Sequence, residues 1–341
     1  MSDSLLMIKA EEILEKIEDG KAVEYENIII FGDLDLSRLD LPLDKNHRKI
    51  IKSIIKIEYS EIKGDVFFDR SIFSKLVDFD GSMFNKAANF SDSAFMEDAG
   101  FSESQFQGEA NFSRAQFMTE ANFSRAKFNG DAEFGRAKFN KNFNLASAKI
   151  YTMRLSDAAF ADGSNLYLKD LNFNRIIVRW NTIKDHIPYN GSVYLALTKN
   201  FRNLEQFEDE DACYYQYRKE KQARTTNLVP KVLDNLAWVS CGYGVRPSRT
   251  ILLGIVIIFL FTGIFWAGNA IRPDGPLQQG NQTPSISVKD AFYFSSMEFL
   301  GRTPQNMHIE SQFQFIIVIE TLLGWLLMAL FLVTLSKVML R

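Results

Sequence analysis

The sequence predicts a multidomain protein: a short N-terminal helix over residues 1–20, a solenoid of stacked coils over 21–180, a helical linker over 181–248 and an α-helical membrane domain over 249–341. Three observations predict it. Phenylalanine recurs in alternating steps of five and six from Phe68 to Phe139. Two apolar runs near the C-terminus are each about 20 residues long, enough to cross a bilayer as helices. Between them lies a segment with an aromatic block and a Gly-Arg-Thr-Pro turn, which is neither a short hairpin nor a soluble domain.

The first residues carry no apolar signal segment. Leu5, Leu6, Ile8, Ile13 and Ile17 are spread among charged residues as one face of an amphipathic helix, and Gly20 is placed to cap its C-terminus. This helix is expected to cover the open end of the solenoid, because an uncovered strand edge invites aggregation.

The repeat itself runs Phe68, Phe73, Phe79, Phe84, Phe90, Phe95, Phe101, Phe106, Phe112, Phe117, Phe123, Phe128, Phe134, Phe139, then Leu145 and Ile150. Two residues before most of these stands a small one, among them Ala88, Ser93, Ala99, Ser104, Ala110, Ala115, Ala121 and Ala126. Neither a helical nor a strand period produces this rhythm. It requires a coil whose sides are each about five residues long, with the large and the small residue both pointing inward. Weaker beats at Leu34, Leu36, Leu39, Leu41, Ile57 and Ile62, and at Leu155, Phe160, Leu166, Leu171 and Ile176, extend the coil to about residues 28–178. These residues resemble the pentapeptide-repeat family, whose fold is a right-handed quadrilateral parallel β-helix. The resemblance implies four beats per coil, so 22 residues per coil. Arg114 and Arg136 then stack on one side, within a mixed-charge surface that argues against imitation of DNA.

Residues 191–224 read as two helices broken near Glu208, the first with Val193, Leu197, Phe201 and Leu204 on one face and the second with Ala212, Tyr215 and Lys219 aligned. The pair resembles a helical hairpin of the TPR type. Pro230 opens a further short segment, ending near Trp238, suited to the lipid interface. Gly242-Tyr243-Gly244 reads as a glycine-permitted turn before the membrane.

The first apolar run, residues 251–271, is uncharged; the second, 315–336, holds only Glu320. Ser287 followed by Asp290 forms an N-cap with an acidic first turn, so a short helix is expected over 288–298, followed by an irregular loop over 299–304. Arg246 and Arg249 precede the first span, and Lys337 and Arg341 follow the second, which places both termini on the cytoplasmic side of a plasma membrane. Arg272, Lys289 and Arg302 in the intervening loop are offset by Asp274, Asp290, Glu298 and Glu310.

The order span, AFYFSSMEFLG, span with ETLLGWLLMALFLV resembles the two-transmembrane pore module of potassium-channel-like proteins (the ion channel 2 type) over the last quarter of the chain. The resemblance implies a homotetrameric, prokaryotic ion channel in a lipid bilayer, with permeant ions as its ligands. Phe299, Leu300, Gly301, Arg302 and Thr303 stand where that family carries TVGYG, so cation permeability is implied and potassium selectivity is not. Glu298 and Arg302 would each form a ring in a symmetric assembly, or pair with one another as a brace. Glu320 is expected to hold the loop by accepting backbone hydrogen bonds, and Gly324 to act as a hinge or as a site of close helix packing.

A net charge of −3 gives no global signal for nucleic acid. His47, His186 and His308 fall in three separate regions, and Cys213 and Cys241 alone make no metal site, so neither catalysis nor a cofactor is expected. The competing reading is a non-conducting, membrane-anchored scaffold whose solenoid binds a protein partner or ligand.

Overall fold

The computed structural model describes residues 6–273 and 286–339; Leu5, Asp274 and Arg341 lie outside them. The chain divides into two compact units, Met1–Tyr217 and Arg218–Arg341.

The first unit is a parallel β-solenoid of about eight turns. Four ladders build it. One runs through Val23–Glu26, Ile55–Glu58, Val77–Asp78, Ala99–Gly100, Ala121–Asn122, Phe143–Asn144 and Leu166–Tyr167. A second runs from Lys49–Ile51 through Ser71–Phe73, Ala94–Phe95, Gln116–Phe117 and Lys138–Phe139 to Ala159–Phe160. The remaining two join in one sheet because Lys127–Glu133 is continuous across their common corner. Eight rungs at the usual strand spacing make the stack about 34 Å tall.

The expected beat is the core. Phe68 through Phe139 are buried, as are Ala88, Ser93, Ala99, Ser104, Ala110, Ala115, Ala121 and Ala126. From Phe73 to Phe117 each ring stacks on the one 22 residues later: Phe84 and Phe106 lie 4.7 Å apart and 6° from parallel, Phe95 and Phe117 4.9 Å and 2°, whereas Phe68 meets Phe90 edge to face. Neighbouring columns meet edge to face, as Phe101 does Phe112 at 5.4 Å and 79°, so the column pairs both favoured aromatic geometries. Buried serines link successive rungs: Ser93 Oγ donates to the Phe68 carbonyl at 2.7 Å and accepts from the Ser71 amide at 3.1 Å.

Two corners of each turn place a residue in the left-handed region. Asp92, Glu103, Arg114, Arg125, Arg136 and Ser147, at every eleventh position, have φ between 57° and 59°. A side chain there costs about 1–2 kcal/mol. Stacking offsets it: the Arg114 amide donates to the Gly135 carbonyl at 2.8 Å, and its guanidinium pairs with Asp92 through two contacts of 2.6 Å.

Both ends of the solenoid are covered. The N-terminal helix α1 (Ala10–Glu18) buries Ile13, Leu14 and Ile17, and Gly20, at φ 69°, follows its C-cap. The expectation of helix from the start is corrected over Leu6–Lys9, which is a strand pairing in parallel with Ile28–Phe31. An open ladder edge offers four residues of hydrogen bonding that a helix would forgo. At the other end, α2 (Trp180–Ile183), α3 (Gly191–Asn203) and α4 (Phe207–Arg224) follow the last rung. Asn200 substitutes for a further strand: its side chain accepts from the Ile176 amide at 2.9 Å and donates to the Ile176 carbonyl at 2.8 Å. The break between α3 and α4 lies at Leu204–Gln206, before the expected Glu208, with Glu205 at φ 58°. The division between the two units falls within α4, so α2 and α3 belong with the solenoid rather than with a separate linker.

The second unit holds α5 (Leu228–Cys241), α6 (Pro247–Ala267), α7 (Val288–Phe299) and α8 (Gln314–Met339). The stretches Pro247–Ala267 and Ser311–Met339 are long and apolar enough to cross a membrane. The first begins at Pro247 rather than at residue 251, because proline suits the first helical position, and it ends before residue 271. Ile271–Pro273 instead pairs in antiparallel fashion with Met307–Ile309. The second helix likewise extends beyond 315–336 at both ends.

Candidate pore loop in the helical unit

The site is built around α7. Its start is as the sequence implies: Ser287 Oγ accepts from the Asp290 amide at 3.2 Å and donates to the Asp290 carboxylate at 2.7 Å. One face then buries Ala291, Phe294, Ser295, Glu298 and Phe299. Phe294 meets Phe265 of α6 edge to face at 5.5 Å, within a cluster that includes Phe261 and Ile271. At twelve residues α7 is about 18 Å long, too short to cross a bilayer.

The helix ends one residue later than expected, in a glycine cap. Gly301, at φ 73°, donates to the Glu298 carbonyl at 2.9 Å, and the Arg302 amide donates to the Met297 carbonyl at 2.9 Å. This pair of bonds is a Schellman motif, which a residue without Cβ favours. Phe299 is therefore the last turn of a helix and is buried, whereas Leu300, Gly301, Arg302 and Thr303 are exposed and Pro304 is buried.

Three glycines bring the helices together. A Cβ on Gly324 of α8 would stand 2.0 Å from the Phe299 carbonyl oxygen; one on Gly254 of α6, 3.2 Å from the Phe299 ring; one on Gly301, 2.6 Å from the Trp325 indole nitrogen. Of the two readings of Gly324, this contact is the close packing that small residues permit, and α8 runs through it unbroken.

Glu298 and Glu320 are both buried. Glu320, expected from sequence to accept from loop amides, accepts none among the described residues; its Oε1 meets the Ser295 hydroxyl of α7, which also lies 3.0 Å from the Ile258 carbonyl of α6. One hydroxyl thus ties three helices. Glu298 Oε1 and Glu320 Oε2 have no hydrogen-bond partner among the described residues. The brace between Glu298 and Arg302 is not formed among the described residues, since Glu298 points into the packed interior and Arg302 is exposed. Sequence reasoning missed Ser295, whose partners lie 25 and 37 positions away with no periodic signal.

The two-stranded ribbon holds the far end of the loop. Arg272 pairs with Glu310, and the Glu310 amide donates to the Ala270 carbonyl at 3.0 Å. Gly242, Tyr243 and Gly244 all have positive φ, ending α5 in the turn expected of them, and the Tyr243 hydroxyl donates to Gln222. His186 stacks on Phe160 with centroids 5.2 Å apart, and among the described residues no cluster of His, Cys, Asp or Glu is arranged to hold a metal.

The family model for pentapeptide repeats (9 copies) matches residues 90–138. No curated protein and no solved structure matches the chain. The matched residues lie at the centre of the phenylalanine stack and supply its most regular rungs. The chain therefore carries pentapeptide repeats folded as a parallel β-solenoid, followed by a helical unit with two helices able to span a membrane.

Proposed function

We propose that the chain is the subunit of an oligomeric, cation-permeable membrane channel, most simply a homotetramer, governed through its solenoid. The observation that carries this reading is α7: a helix too short to span, packed between two that are long enough, and ending in an exposed loop at Leu300–Thr303. Irregular backbone at membrane depth is tolerated only where it is buried in protein or lines water. A single pair of spans encloses no water path, so conduction requires a closed ring of copies. In such a ring the exposed Arg302 is a positive charge that weighs against cations, so cation permeability rests on the pore-module resemblance alone, while the buried Glu298 and Glu320 fix the loop from behind. The potassium-channel-like pore module supplies the template for this arrangement, and the absence of its TVGYG signature argues for weak selectivity. The solenoid and both termini then face the cytoplasm of a prokaryotic cell.

The test is ion flux through the purified full-length chain in liposomes under potassium, sodium and chloride gradients, for the native protein, Arg302→Gln and Glu298→Gln. Flux whose ion preference moves with Arg302→Gln, and whose size falls with Glu298→Gln, is the expected result. No flux from folded, oligomeric protein, with or without the solenoid, overturns the channel and leaves the membrane-anchored scaffold.

A further inference from the structure

Helix α5 displays an apolar face that its own unit leaves uncovered. Leu228, Val229, Val232, Leu233, Leu236 and Val239 are 78%, 72%, 54%, 61%, 61% and 47% exposed. At about 100° per residue they fall within one arc of about 140°. The opposite side is already engaged. There Asp234 accepts from the Arg218 guanidinium at 2.5 Å and Cys241 is buried, while Asn235, at the edge of the arc, accepts from Gln222. Trp238 carries the Arg249 guanidinium over its ring at 5.1 Å, and its carbonyl accepts from Arg249 at 2.9 Å. A soluble protein rarely leaves such a contiguous apolar strip in water.

We propose that α5 is an interfacial helix, its apolar arc seated in the headgroup and acyl-chain boundary of the same membrane that α6 and α8 cross. The proposal rests on the membrane reading of those two helices. Continuity selects lipid as the occupant. Only the turn at Gly242–Arg246 separates the arc from α6, where Ile251, Leu252, Ile255, Val256, Phe259 and Leu260 are also exposed. An arginine held against a tryptophan at that junction is the composition of a membrane interface. The arc holds no acidic residue, and the exposed Lys231 beside it suits anionic headgroups. Bound in this way, α5 sets the depth at which α6 enters the bilayer.

The experiment uses the full-length chain in vesicles of phosphatidylcholine and phosphatidylglycerol, with a nitroxide on Val232→Cys, Leu236→Cys, Lys231→Cys or Leu260→Cys in turn. Accessibility to oxygen and to a water-soluble nickel chelate gives the depth of each label. The native chain, whose two cysteines are buried, supplies the background. Labels at 232 and 236 should sit about 5–10 Å below the headgroups, with 231 in water and 260 deeper still. Nickel access at 232 and 236 with 260 still embedded overturns the interfacial helix and leaves the membrane reading standing. Labels at 232 and 236 closed to both reagents, with spin–spin broadening that vanishes on dilution with unlabelled chain, assign the arc to a second copy and also overturn it. Nickel access at 260 overturns the membrane reading and the proposal with it.

Discussion

Phenylalanine is buried uniformly along the solenoid's stack and unevenly in the helical unit, where Phe265 and Phe294 are buried and others are not. Phe101 is wholly buried, stacked on Phe79 and Phe123, whereas Phe259 and Phe315 of the helical unit are 61% and 74% exposed. In the solenoid each coil supplies the apolar surface that its neighbour needs, so burial is completed within one chain. In the helical unit only 28% and 11% of an 18-residue window of the two long apolar stretches is buried, so most of that apolar surface is not covered by the described residues. The glycines of the helical unit show the same unevenness: Gly324 sits where α8 touches the end of α7, whereas a Cβ on Gly263 of α6 would meet nothing within 4 Å beyond its own helix among the described residues. One unit is stabilised by repetition, the other by a few unique contacts and its surroundings.

The strongest way to break this comparison is Gly324→Ala. With a Cβ 2.0 Å from the Phe299 carbonyl oxygen, α8 must move away from α7. We expect loss of monodisperse protein in detergent and of ion flux, whereas Gly263→Ala should melt at or above the native temperature, since alanine favours a helix by about 0.8–1 kcal/mol. A Gly324→Ala protein that melts like the native one would show that the α7–α8 contact is not tight. Next in size is Phe101→Ala. Removing one ring from the middle of the stack should cost about 3–5 kcal/mol, read from denaturant unfolding of the full chain by the solenoid's strand signal. A cost below about 1 kcal/mol would mean that the columns collapse around a missing ring.

The smallest effect is a pH dependence of the solenoid. Burial, with the Asp78 and Glu58 carboxylates beside it, pushes Asp80 up to about 6 from an ordinary 3.8. Between these values the folded chain holds a proton that the unfolded chain has lost, so this group's contribution to stability falls as pH rises from about 4 through about 6. Asp80→Asn, which keeps an acceptor for the Ser102 amide, should flatten the melting temperature across that range and exceed the native chain at pH 7.5. An unchanged slope would sink the assignment to Asp80.

Much of the fold is legible in the residues. The phenylalanine beat, the small residues before it, the cap at Ser287 and the turn at Gly242–Gly244 each rest on local chemistry, and the structure places them accordingly. Less legible are Leu6–Lys9, whose alternation suits helix or strand until Ile28–Phe31 lies beside it, and the ribbon joining Ile271–Pro273 to Met307–Ile309 across a long insertion. Less legible too are the left-handed arginines and Glu103 at the corners, because in isolation those types disfavour that backbone.

The sequence by itself determined the solenoid and the two apolar helices, because a coil meets its neighbour 22 residues away through the same positions each time, and a span is defined by its own length and polarity. Only the tertiary structure decided that Gly324 is a packing site, that Glu320 bonds to Ser295 and that Glu298 turns inward from Arg302. Those contacts join residues at unrelated spacings, so no period along the chain announces them.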